Sequence, residues 1–203
     1  MICGCRVGGK DYDIYGLADV IAAPEISEND TVSIRPAIYS LFVDDRNTSR
    51  ILAGTESALL EISHQFTRRR TDTFSVVFGQ LGSAGITFGE NPQIGRVTGI
   101  ARLEEEQYIL SDGIYHFLRH INLMSGGSEV AIGQPGEAGF IDGKLNTPGD
   151  LLPYRGQLLI VCRDALHMYT IETRNLTTML HSPTNPGFTD LIINCGTLLQ
   201  EQR

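Results

Sequence analysis

The chain has no tryptophan, little positive charge and no long hydrophobic run. Its 24 acidic side chains outnumber the 16 Lys and Arg residues, which gives a formal net charge of −8. Phosphate binding requires clustered positive charge, so this balance argues against a general nucleic-acid surface. No stretch approaches the ~20 apolar residues that a bilayer-spanning helix needs. Residues 1–5 lack the basic flank and apolar core of a signal peptide. The one basic run, residues 68–70, is predicted to be a solvated hairpin tip.

Cysteine is also scarce, and its spacing indicates no site. The four cysteines are Cys3, Cys5, Cys162 and Cys195. Cys3 and Cys5 are too close for an easy mutual disulfide and lack the second pair that a zinc site needs. Cys162 ends an apolar run, and we expect it, like Cys195, to be a buried strand residue rather than a reactive thiol. The sequence leaves the disulfide state open.

What the chain does have is glycine, 22 residues of it, and a glycine frame that occurs twice. Residues 78–86, FGQLGSAGI, return 54 positions later as residues 132–140, IGQPGEAGF. The shared pattern is apolar-Gly-Gln-x-Gly-x-Ala-Gly-apolar. We expect the three glycines to visit positive φ at the same places in both copies. A repeat of roughly 40–55 residues predicts an array of similar sheets of the propeller kind.

Apolar runs separated by polar turns predict four short strands in each of three repeats. We place them at 38–44, 49–53, 57–63 and 74–79, at 97–102, 107–111, 114–122 and 128–133, and at 149–153, 157–162, 166–172 and 176–180. No long segment has the 3.6-residue period of a helix. The predicted fold is all-β: a β-propeller built from four-stranded antiparallel blades, with about three clear blades and partial blades at both ends.

The segments between these strands resemble NHL repeats. Residues 136–143 form a glycine-rich segment that ends in Asp-Gly, and residues 146–149 supply the Pro-Gly opening of the next first strand. Residues 112–121 are similar to the family's Asp-x-x-Asn-His-x-apolar-Arg-x-Ile segment, with Tyr115 in place of the Asn. The similarity covers about 38–180 and is most specific between 133 and 171.

The alignment with the family assigns equivalent positions to several polar residues. His167 falls in the slot of His116, 51 residues on, and Arg163 stands where Asp112 stands. Ser57 stands where the first repeat would have its histidine. In NHL domains the repeated Asp, His and Gly are structural and fix turns between strands. We therefore expect structural roles for His116 and His167. His120 and His181 match no repeated position, and we expect structural roles for them as well.

The resemblance implies a β-propeller, which in this family usually has six blades. We divide the chain into residues 1–37, a partial blade strand and linker; residues 38–180, NHL-like blades at about 38–80, 97–133 and 148–180; and residues 181–203, a C-terminal partial blade or tail. Because the chain starts in mid-strand without a signal peptide, we expect it to be part of a longer chain. Closure as a four-bladed ring and pairing with a second copy are the alternatives. A compact, cooperative monomer in size-exclusion chromatography with light scattering would contradict this expectation.

The sequence contains no persuasive catalytic set. Gly-x-Ser-x-Gly and His-Glu-x-x-His are absent, and the frame at 79–85 recurs without introducing a helix, which favours a repeated turn over a dinucleotide-binding loop. The acidic clusters at 44–45 and 104–106 are predicted to be solvated hairpin tips rather than calcium sites. A metal in the channel would need ligands from the inner strands, which offer only Asp150 and the flanking Asp44. We expect no catalytic residues, no cofactor and no metal.

These observations favour a non-enzymatic NHL-like propeller that serves as a binding or scaffold domain for an unidentified protein (or glycan) partner, without nucleic-acid binding or membrane insertion. The alternative is a propeller enzyme, a lactonase-like hydrolase or a lyase, with a metal at the central channel. A stoichiometric calcium or zinc ion that is lost on Asp150→Ala would favour this alternative. The compartment is left open. Three glycosylation sequons, at Asn29, Asn47 and Asn175, favour the cell exterior, and a glycoprotein, if the chain is a fragment of a secreted or membrane-anchored protein.

Overall fold

The computed structural model describes residues 36–44, 50–63, 73–89, 91–140 and 143–181. All of them belong to one compact unit of the chain. They form β-strands joined by turns and loops, and none of them forms a helix long and apolar enough to cross a membrane. Several predictions lie outside the described residues: those for residues 1–35, 64–72 and 182–203, for Cys3, Cys5 and Cys195, and for the sequons at Asn29 and Asn47.

The described strands form three four-stranded antiparallel sheets, which confirms the predicted fold class. The first sheet contains β1 (Ser40–Val43), β2 (Arg50–Gly54), β3 (Ala58–Ser63) and β4 (Thr73–Gly79). The second contains β5 (Val97–Glu104), β6 (Gln107–Asp112), β7 (Phe117–Asn122) and β8 (Ser128–Gly133). The third contains β9 (Leu151–Tyr154), β10 (Gln157–Val161), β11 (Ala165–Thr170) and β12 (Asn175–His181). Each sheet follows chain order, as consecutive blades of a partial propeller do.

The third strand of the second sheet starts three residues later than predicted. We expected a strand over 114–122, but β7 begins at Phe117 and residues 113–116 form a turn. The Asp112 carboxylate accepts the backbone N–H of Tyr115 at 3.0 Å and thereby closes this turn. His116 then takes a φ of 62°, which no strand residue adopts.

Strand register corrects the alignment of the histidines. The third strands of the three sheets begin at Ala58, Phe117 and Ala165, and each carries a bulge between its second and third residues. His167 is the third residue of β11 and therefore corresponds to Arg119, not to His116. The prediction that His167 and His116 share one slot was wrong, because four residues separate the paired Asp112 and Phe117, whereas two residues separate Cys162 from Ala165.

The same register corrects the counterpart of Asp112. Asp112 pairs with the first residue of its third strand, and Cys162 donates its N–H to the carbonyl of Ala165 at the same place in the third sheet. Cys162 thus takes the position that the alignment gave to Arg163. It is 1 % exposed, directly after β10, and burial raises the pKa of its thiol to about 12. The expectation that Cys162 is buried is confirmed, although the residue follows β10 rather than lying within a strand.

Neighbouring sheets contact each other through their first strands. The Ser40 hydroxyl, at the start of β1, donates to the carbonyl of Val97 at 2.8 Å. The Thr98 hydroxyl, near the start of β5, donates to the carbonyl of Pro148 at 2.5 Å. In both cases, a hydroxyl group on the first strand of one sheet therefore donates to a carbonyl at or just before the first strand of the next sheet.

Two apolar clusters fill the spaces between the sheets. The cluster between the first and second sheets consists of Leu52, Leu59, Phe78, Ile94, Val97, Ile100, Tyr108, Leu110 and Ile121. The cluster between the second and third consists of Ala101, Ile109, Leu118, Leu145, Leu158, Ile160, Cys162, Ala165 and Tyr169. Side chains alternate across a strand, so Tyr108 and Leu110 face one neighbour while Ile109 faces the other. Each fully buried Leu or Ile contributes roughly 1.5–3 kcal/mol, so apolar burial is the main force that stacks the sheets.

The prediction of solvated hairpin tips was wrong for two carboxylates of the acidic clusters, whereas Glu104 and Glu105 are exposed at the hairpin between β5 and β6. Asp44, 7 % exposed at the end of β1, pairs with Arg102 of β5. Glu106, in the turn after β5, accepts a bidentate bond from Arg50 of β2, with 3.1 Å between Nη2 and Oε2. Arg50 also donates through Nε to Glu61 at 3.0 Å. Asp44 and Glu106 therefore join the first sheet to the second.

Candidate functional site

Two connections, here called seam segments, lead from the last strand of one sheet to the first strand of the next. The first comprises residues 80–89 and 91–96, and the second comprises 134–140 and 143–150. In a four-stranded antiparallel sheet, the first strand starts at the end where the fourth strand stops. Both seam segments therefore lie at one end of the sheets, the seam end. We call the exposed surface of 80–89 and 134–140 the seam-loop rim.

The repeated glycines bend the chain where each seam segment starts. Gly79 and Gly82 have φ values of 79° and 77°, and Gly133 and Gly136 have values of 97° and 85°. Side chains with a Cβ rarely adopt these left-handed values. A Cβ on Gly133 would in addition lie 2.7 Å from the Cα of Phe117. The prediction of positive φ is confirmed for these two glycines of each frame.

For the third glycine of each frame the prediction was wrong. Gly85 and Gly139 do not have positive φ. Their reason is space: a Cβ on Gly85 would lie 2.6 Å from the Oε1 of Gln93, and a Cβ on Gly139 would lie 3.1 Å from the side chain of Lys144. Two glycines of each frame are thus required by their backbone conformation, and the third is required because a neighbouring side chain lies too close for a Cβ.

The third glycine also closes each seam segment with the same hydrogen bond. The Gly85 N–H donates to the carbonyl of Ile94 at 3.2 Å, and the Gly139 N–H donates to the carbonyl of Leu145 at 3.1 Å. Ile94 and Leu145 are 2 % and 0 % exposed and belong to the two apolar clusters. The two seam segments are therefore built on one plan and are fixed to the core at equivalent places.

Each seam segment presents one large aromatic ring to solvent. Phe88 is 40 % exposed and Phe140 is 36 % exposed. The guanidinium carbon of Arg119, on β7, lies 4.2 Å from the centroid of the Phe88 ring. The imidazole of His181, on β12, stacks on Phe140 with 3.6 Å between ring centroids. A basic side chain from the following sheet thus supports one face of each exposed ring.

Arg119 holds the first seam segment from below. It is 1 % exposed, and it donates from Nη1 to the carbonyl of Thr87 at 3.0 Å and from Nη2 to the carbonyl of Gln93 at 3.1 Å. Nη1 also lies 3.3 Å from the Ser128 hydroxyl. Desolvation lowers the pKa of the guanidinium to about 10, with the charge of Asp112 acting in the opposite sense. Arg119 is therefore a cation at neutral pH.

His167 takes the corresponding position beneath the second seam segment. It is fully buried, with 3.1 Å between its Nδ1 and the hydroxyl of Thr178. Its Nε2 is buried without a hydrogen-bond partner in the described part of the chain. Desolvation lowers the pKa of the imidazole, and the charge of Asp164 opposes this effect. His167 is therefore neutral where Arg119 is charged.

Polar atoms without partners gather around His167. Asn146 donates through Nδ2 to the Oδ2 of Asp164 at 2.8 Å, but Asp164 Oδ1 is buried and has no partner among the described residues. Nε2 of His181 is likewise buried without a partner among the described residues. His181 pairs with Ala165 and therefore lies on the same side of the third sheet as His167. Buried polar atoms of this kind normally bind ordered water.

His116 fastens the end of the second seam segment. Its Nδ1 accepts the backbone N–H of Thr147 at 3.0 Å, so this nitrogen carries no proton and the neutral ring is protonated at Nε2. Desolvation lowers the pKa of the ring, opposed by the charge of Asp112. In the first sheet, Ser57 accepts the N–H of Gly82 at 2.9 Å. His116 has the structural role at a turn that the sequence predicts.

The seam-loop rim offers neutral hydrogen-bonding groups around its two rings. Residues 80–89 contain no charged side chain. In 134–140 the one charge is Glu137, whose Oε2 lies 2.7 Å from Nζ of Lys144. Exposed small or neutral polar residues make up the remainder: Gln80, Gly82, Ala84, Thr87, Gly89, Gln134, Gly136 and Ala138. The rim therefore lacks an uncompensated charge within its described residues.

A third exposed aromatic residue lies at the same end of the sheets. Tyr39, directly before β1, is 42 % exposed, and the guanidinium carbon of Arg96 lies 4.5 Å from its ring centroid. Arg96 donates to both carboxylate oxygens of Glu56, at 2.8 and 3.1 Å. Because this pair is largely exposed, it adds at most about 1 kcal/mol of stability. Its effect is to fix the guanidinium over the ring.

The two carboxylates considered for a channel metal lie far apart in the topology. Asp44 follows the end of β1, whereas Asp150 precedes the start of β9, so the two lie at opposite ends of the sheets. Asp150 is on the surface, and partial desolvation raises the pKa of its carboxyl. No group of three His, Cys, Asp or Glu side chains in the described ranges is placed to hold a metal ion.

Sequence reasoning did not find the roles of Tyr39, Phe88, Phe140 and Arg119 at this end of the sheets, and for His181 it predicted only an unspecified structural role. A signal for two of them was present. Phe140 occupies the apolar position that ends the glycine frame, and Arg119 is a charged residue in an otherwise apolar strand register with Phe117 and Ile121. A charge at an inward-facing position indicates a buried polar contact.

No protein-family model and no curated protein matches the chain. Solved structures do match it at low identity. One is a protein of unknown function from Bacteroides thetaiotaomicron, with a TM-score of 0.46 and 17 % identity, covering 55 % of this chain and 29 % of that one. Another is an auxiliary nutrient binding protein from the same organism, with a TM-score of 0.46 and 14 % identity, covering 64 % of this chain and 34 % of that one.

A third similar structure is the extracellular domain of a proposed hybrid two-component system from B. thetaiotaomicron. Its TM-score is 0.48 and its identity 14 %, and the match covers 75 % of this chain and 17 % of that one. The chain thus spans about a third or less of each of these proteins. With TM-scores below 0.5, the likeness carries no function over to this chain.

Proposed function

We propose that this chain is a non-enzymatic NHL-like β-propeller domain that binds a protein partner at its seam-loop rim. One observation supports this most directly: each seam segment exposes a phenylalanine whose ring is supported from below by a basic side chain of the next sheet. Aromatic anchors dominate the binding free energy of many protein interfaces. Loops held by a rigid sheet are the usual place for them.

The support beneath the rings matters because it orders them before a partner arrives. Immobilising a side chain on binding costs about 0.5–1.5 kcal/mol, and this cost is smaller when the free protein already holds the ring. Phe88 is fixed by Arg119, which is itself bonded to two carbonyls of the same seam segment. Phe140 is fixed by its stack on His181. The rim is therefore a pre-ordered surface.

The described residues of the rim carry no uncompensated charge, which constrains the partner. Electrostatic steering requires uncompensated charge, and Glu137 is already paired with Lys144. We expect the partner to offer an apolar surface with neutral hydrogen-bonding groups, and we expect binding to change little with salt concentration. The same features suit an uncharged glycan, which the experiment below distinguishes.

The experiment uses the whole chain as an affinity reagent against lysate of the source organism and against a glycan array. The test variant is Phe88→Ser/Phe140→Ser. The control is Met124→Ser, which alters an 82 % exposed residue at the opposite end of the sheets. Proteins captured by the wild type and the control but lost with the test variant support the proposal. Equal capture by all three, or a dependence confined to glycans, contradicts it.

A further inference from the structure

The two seam segments share one backbone plan but are fastened by side chains of different chemistry. Arg119, a permanent cation at physiological pH, holds the first through the carbonyls of Thr87 and Gln93. The second is held at its end by His116, which accepts from Thr147, and by Asp164, which accepts from Asn146. The first set of anchors does not titrate near neutrality, whereas the second contains an imidazole.

The His116 anchor requires an unprotonated nitrogen. Imidazolium has two N–H groups and no lone pair, so a protonated His116 cannot accept the N–H of Thr147. Thr147 has a φ of 47°, a left-handed value that its neighbours must maintain. Loss of this bond leaves a strained residue with one contact fewer, at the point where the second seam segment enters the third sheet.

The Asp164 anchor is linked to His167. His167 is fully buried and its Nε2 has no partner in the described part of the chain, so a proton added there needs a nearby acceptor. Asp164 is the carboxylate that acts on the charge of this ring. Attraction between a protonated His167 and Asp164 competes with the bond from Asn146. The neighbouring His181 lowers the pKa of His167 further.

We propose that the second seam segment is acid-sensitive: protonation of His116 and His167 releases residues 143–148 from the second and third sheets, while the first seam segment stays closed. The release opens the bond from Gly139 to Leu145 and removes Phe140 from its stack on His181. It is a property of the free chain and occurs whether or not the rim binds a partner.

Among the titratable groups around these rings, two carboxylates raise the pKa of the imidazoles and so oppose this behaviour, but desolvation acts more strongly. His116 faces Asp112, and His167 faces Asp164 and His181. Lys144 is paired with Glu137 within the second seam segment. The thiol and the phenol packed nearby, those of Cys162 and Tyr169, have raised pKa values because they are buried and do not ionise near neutrality.

Residue-resolved amide exchange by NMR on the whole chain tests this inference. Gly139 and Gly85 form a matched pair, because each donates the equivalent closing bond of its seam segment. Protection factors, corrected for intrinsic exchange, are compared at pH 7.5 and 5.5. We expect the protection of Gly139 and Thr147 to fall by up to about tenfold for each histidine, because pH 5.5 is one unit below the ordinary pKa of 6.5. Gly85 should change less than twofold.

Two variants check that histidine is the cause. His116→Asn keeps an acceptor and tolerates positive φ without titrating, and His167→Gln keeps a neutral polar group. The double variant should lose most of the acid effect on Gly139, whereas His120→Asn, a control on β7, should retain it. If Gly139 in the wild type keeps its protection at pH 5.5, or if Gly85 loses as much, the inference is overturned. The wild-type measurement decides even if a variant does not fold.

Discussion

The interface between the first and second sheets is tied by charges, whereas the interface between the second and third is tied mainly by neutral groups. Three arginines cross or border the first interface in ion pairs: Arg50 with Glu106, Arg102 with Asp44, and Arg96 with Glu56. At the second interface, the neutral ring of His116 accepts from Thr147 and Asn146 donates to Asp164. Among the described residues, the one ion pair that crosses this interface, between Arg174 and Glu129, is exposed.

The two interfaces differ little in their apolar content, since each is filled by a cluster of nine buried residues. Apolar burial is not directional, so it stacks sheets without choosing their polar contacts. The comparison shows that the polar contacts between sheets can differ from one repeat to the next as long as the apolar faces are kept. The anchors then decide how each interface responds to mutation and pH.

Removing Arg119 should have the largest effect. Arg119→Met leaves the carbonyls of Thr87 and Gln93 without a donor and removes the cation beneath Phe88. A hydrogen bond from a charged donor is worth about 1.5–3 kcal/mol and this guanidinium donates two, so we expect the free energy of unfolding to fall by roughly 3–4 kcal/mol. Urea denaturation followed by circular dichroism measures this. Arg155→Met, a surface control whose guanidinium contacts Tyr154, should change stability by less than about 0.5 kcal/mol. A loss below 1 kcal/mol for Arg119→Met would contradict the role assigned to this residue.

Breaking the pair between Asp44 and Arg102 should rank second. The side chains are 9 % and 13 % exposed, so Asp44→Asn leaves a largely buried guanidinium without its carboxylate. We expect a loss of roughly 2–3 kcal/mol in the same denaturation experiment. The double variant Asp44→Asn/Arg102→Met removes both charges and should recover part of this loss. The two residues are not coupled if the loss in free energy of unfolding for the double variant equals the sum of the losses for Asp44→Asn and Arg102→Met alone.

Much of the fold could be predicted from the sequence because local signals agree with it. Apolar runs bounded by turn residues locate the strands within a few residues, and the glycine frame at 79–85 and 133–139 marks the connections between sheets. The frame was informative because positive φ at Gly79 and Gly82 is a local requirement that few other residues meet. Local requirements of this kind are visible in a sequence without knowledge of the tertiary contacts.

The anchors could not be predicted, because they depend on which residues meet across the sheets. Asp44 and Glu106 resemble solvated hairpin carboxylates in the sequence, and only the stacking of the first two sheets gives them arginine partners 58 and 56 residues away. The comparison of His167 with His116 failed for a related reason. A two-residue difference in turn length shifts the strand register, and spacing along the chain does not reveal it.

Acid should weaken the second interface more than the first. His116 and His167 both have lowered pKa values in the folded state, so the unfolded chain binds more protons near and below the ordinary pKa of 6.5. The free energy of unfolding should therefore be constant above about pH 7 and fall as the pH drops below 6.5, by roughly 1–2 kcal/mol at pH 5.5. Asp112, whose pKa is raised by burial, acts in the opposite sense at lower pH.

Urea denaturation at pH 7.5 and 5.5 measures this dependence, and His116→Asn/His167→Gln should flatten it. The subtraction isolates the two histidines together with the carboxylates that interact with them, because the remaining groups titrate equally in both proteins. A dependence that the double variant leaves unchanged would assign the acid effect to other groups. It would also remove the contrast between the two interfaces.

The smallest effects should come from the hydroxyl groups that both interfaces share. Ser40→Ala and Thr98→Val each remove one donor to a carbonyl of the next sheet. A net hydrogen bond is worth about 0.5–1.5 kcal/mol, so we expect losses near 1 kcal/mol that agree between the two sites within experimental error. Ser125→Ala, in an exposed turn, is the matched control. Equal losses would mean that the arginine ion pairs of the first interface are added to a set of contacts that both interfaces share. A much larger loss for Thr98→Val would mean that the second interface relies on its hydroxyl because it lacks the arginine pairs of the first.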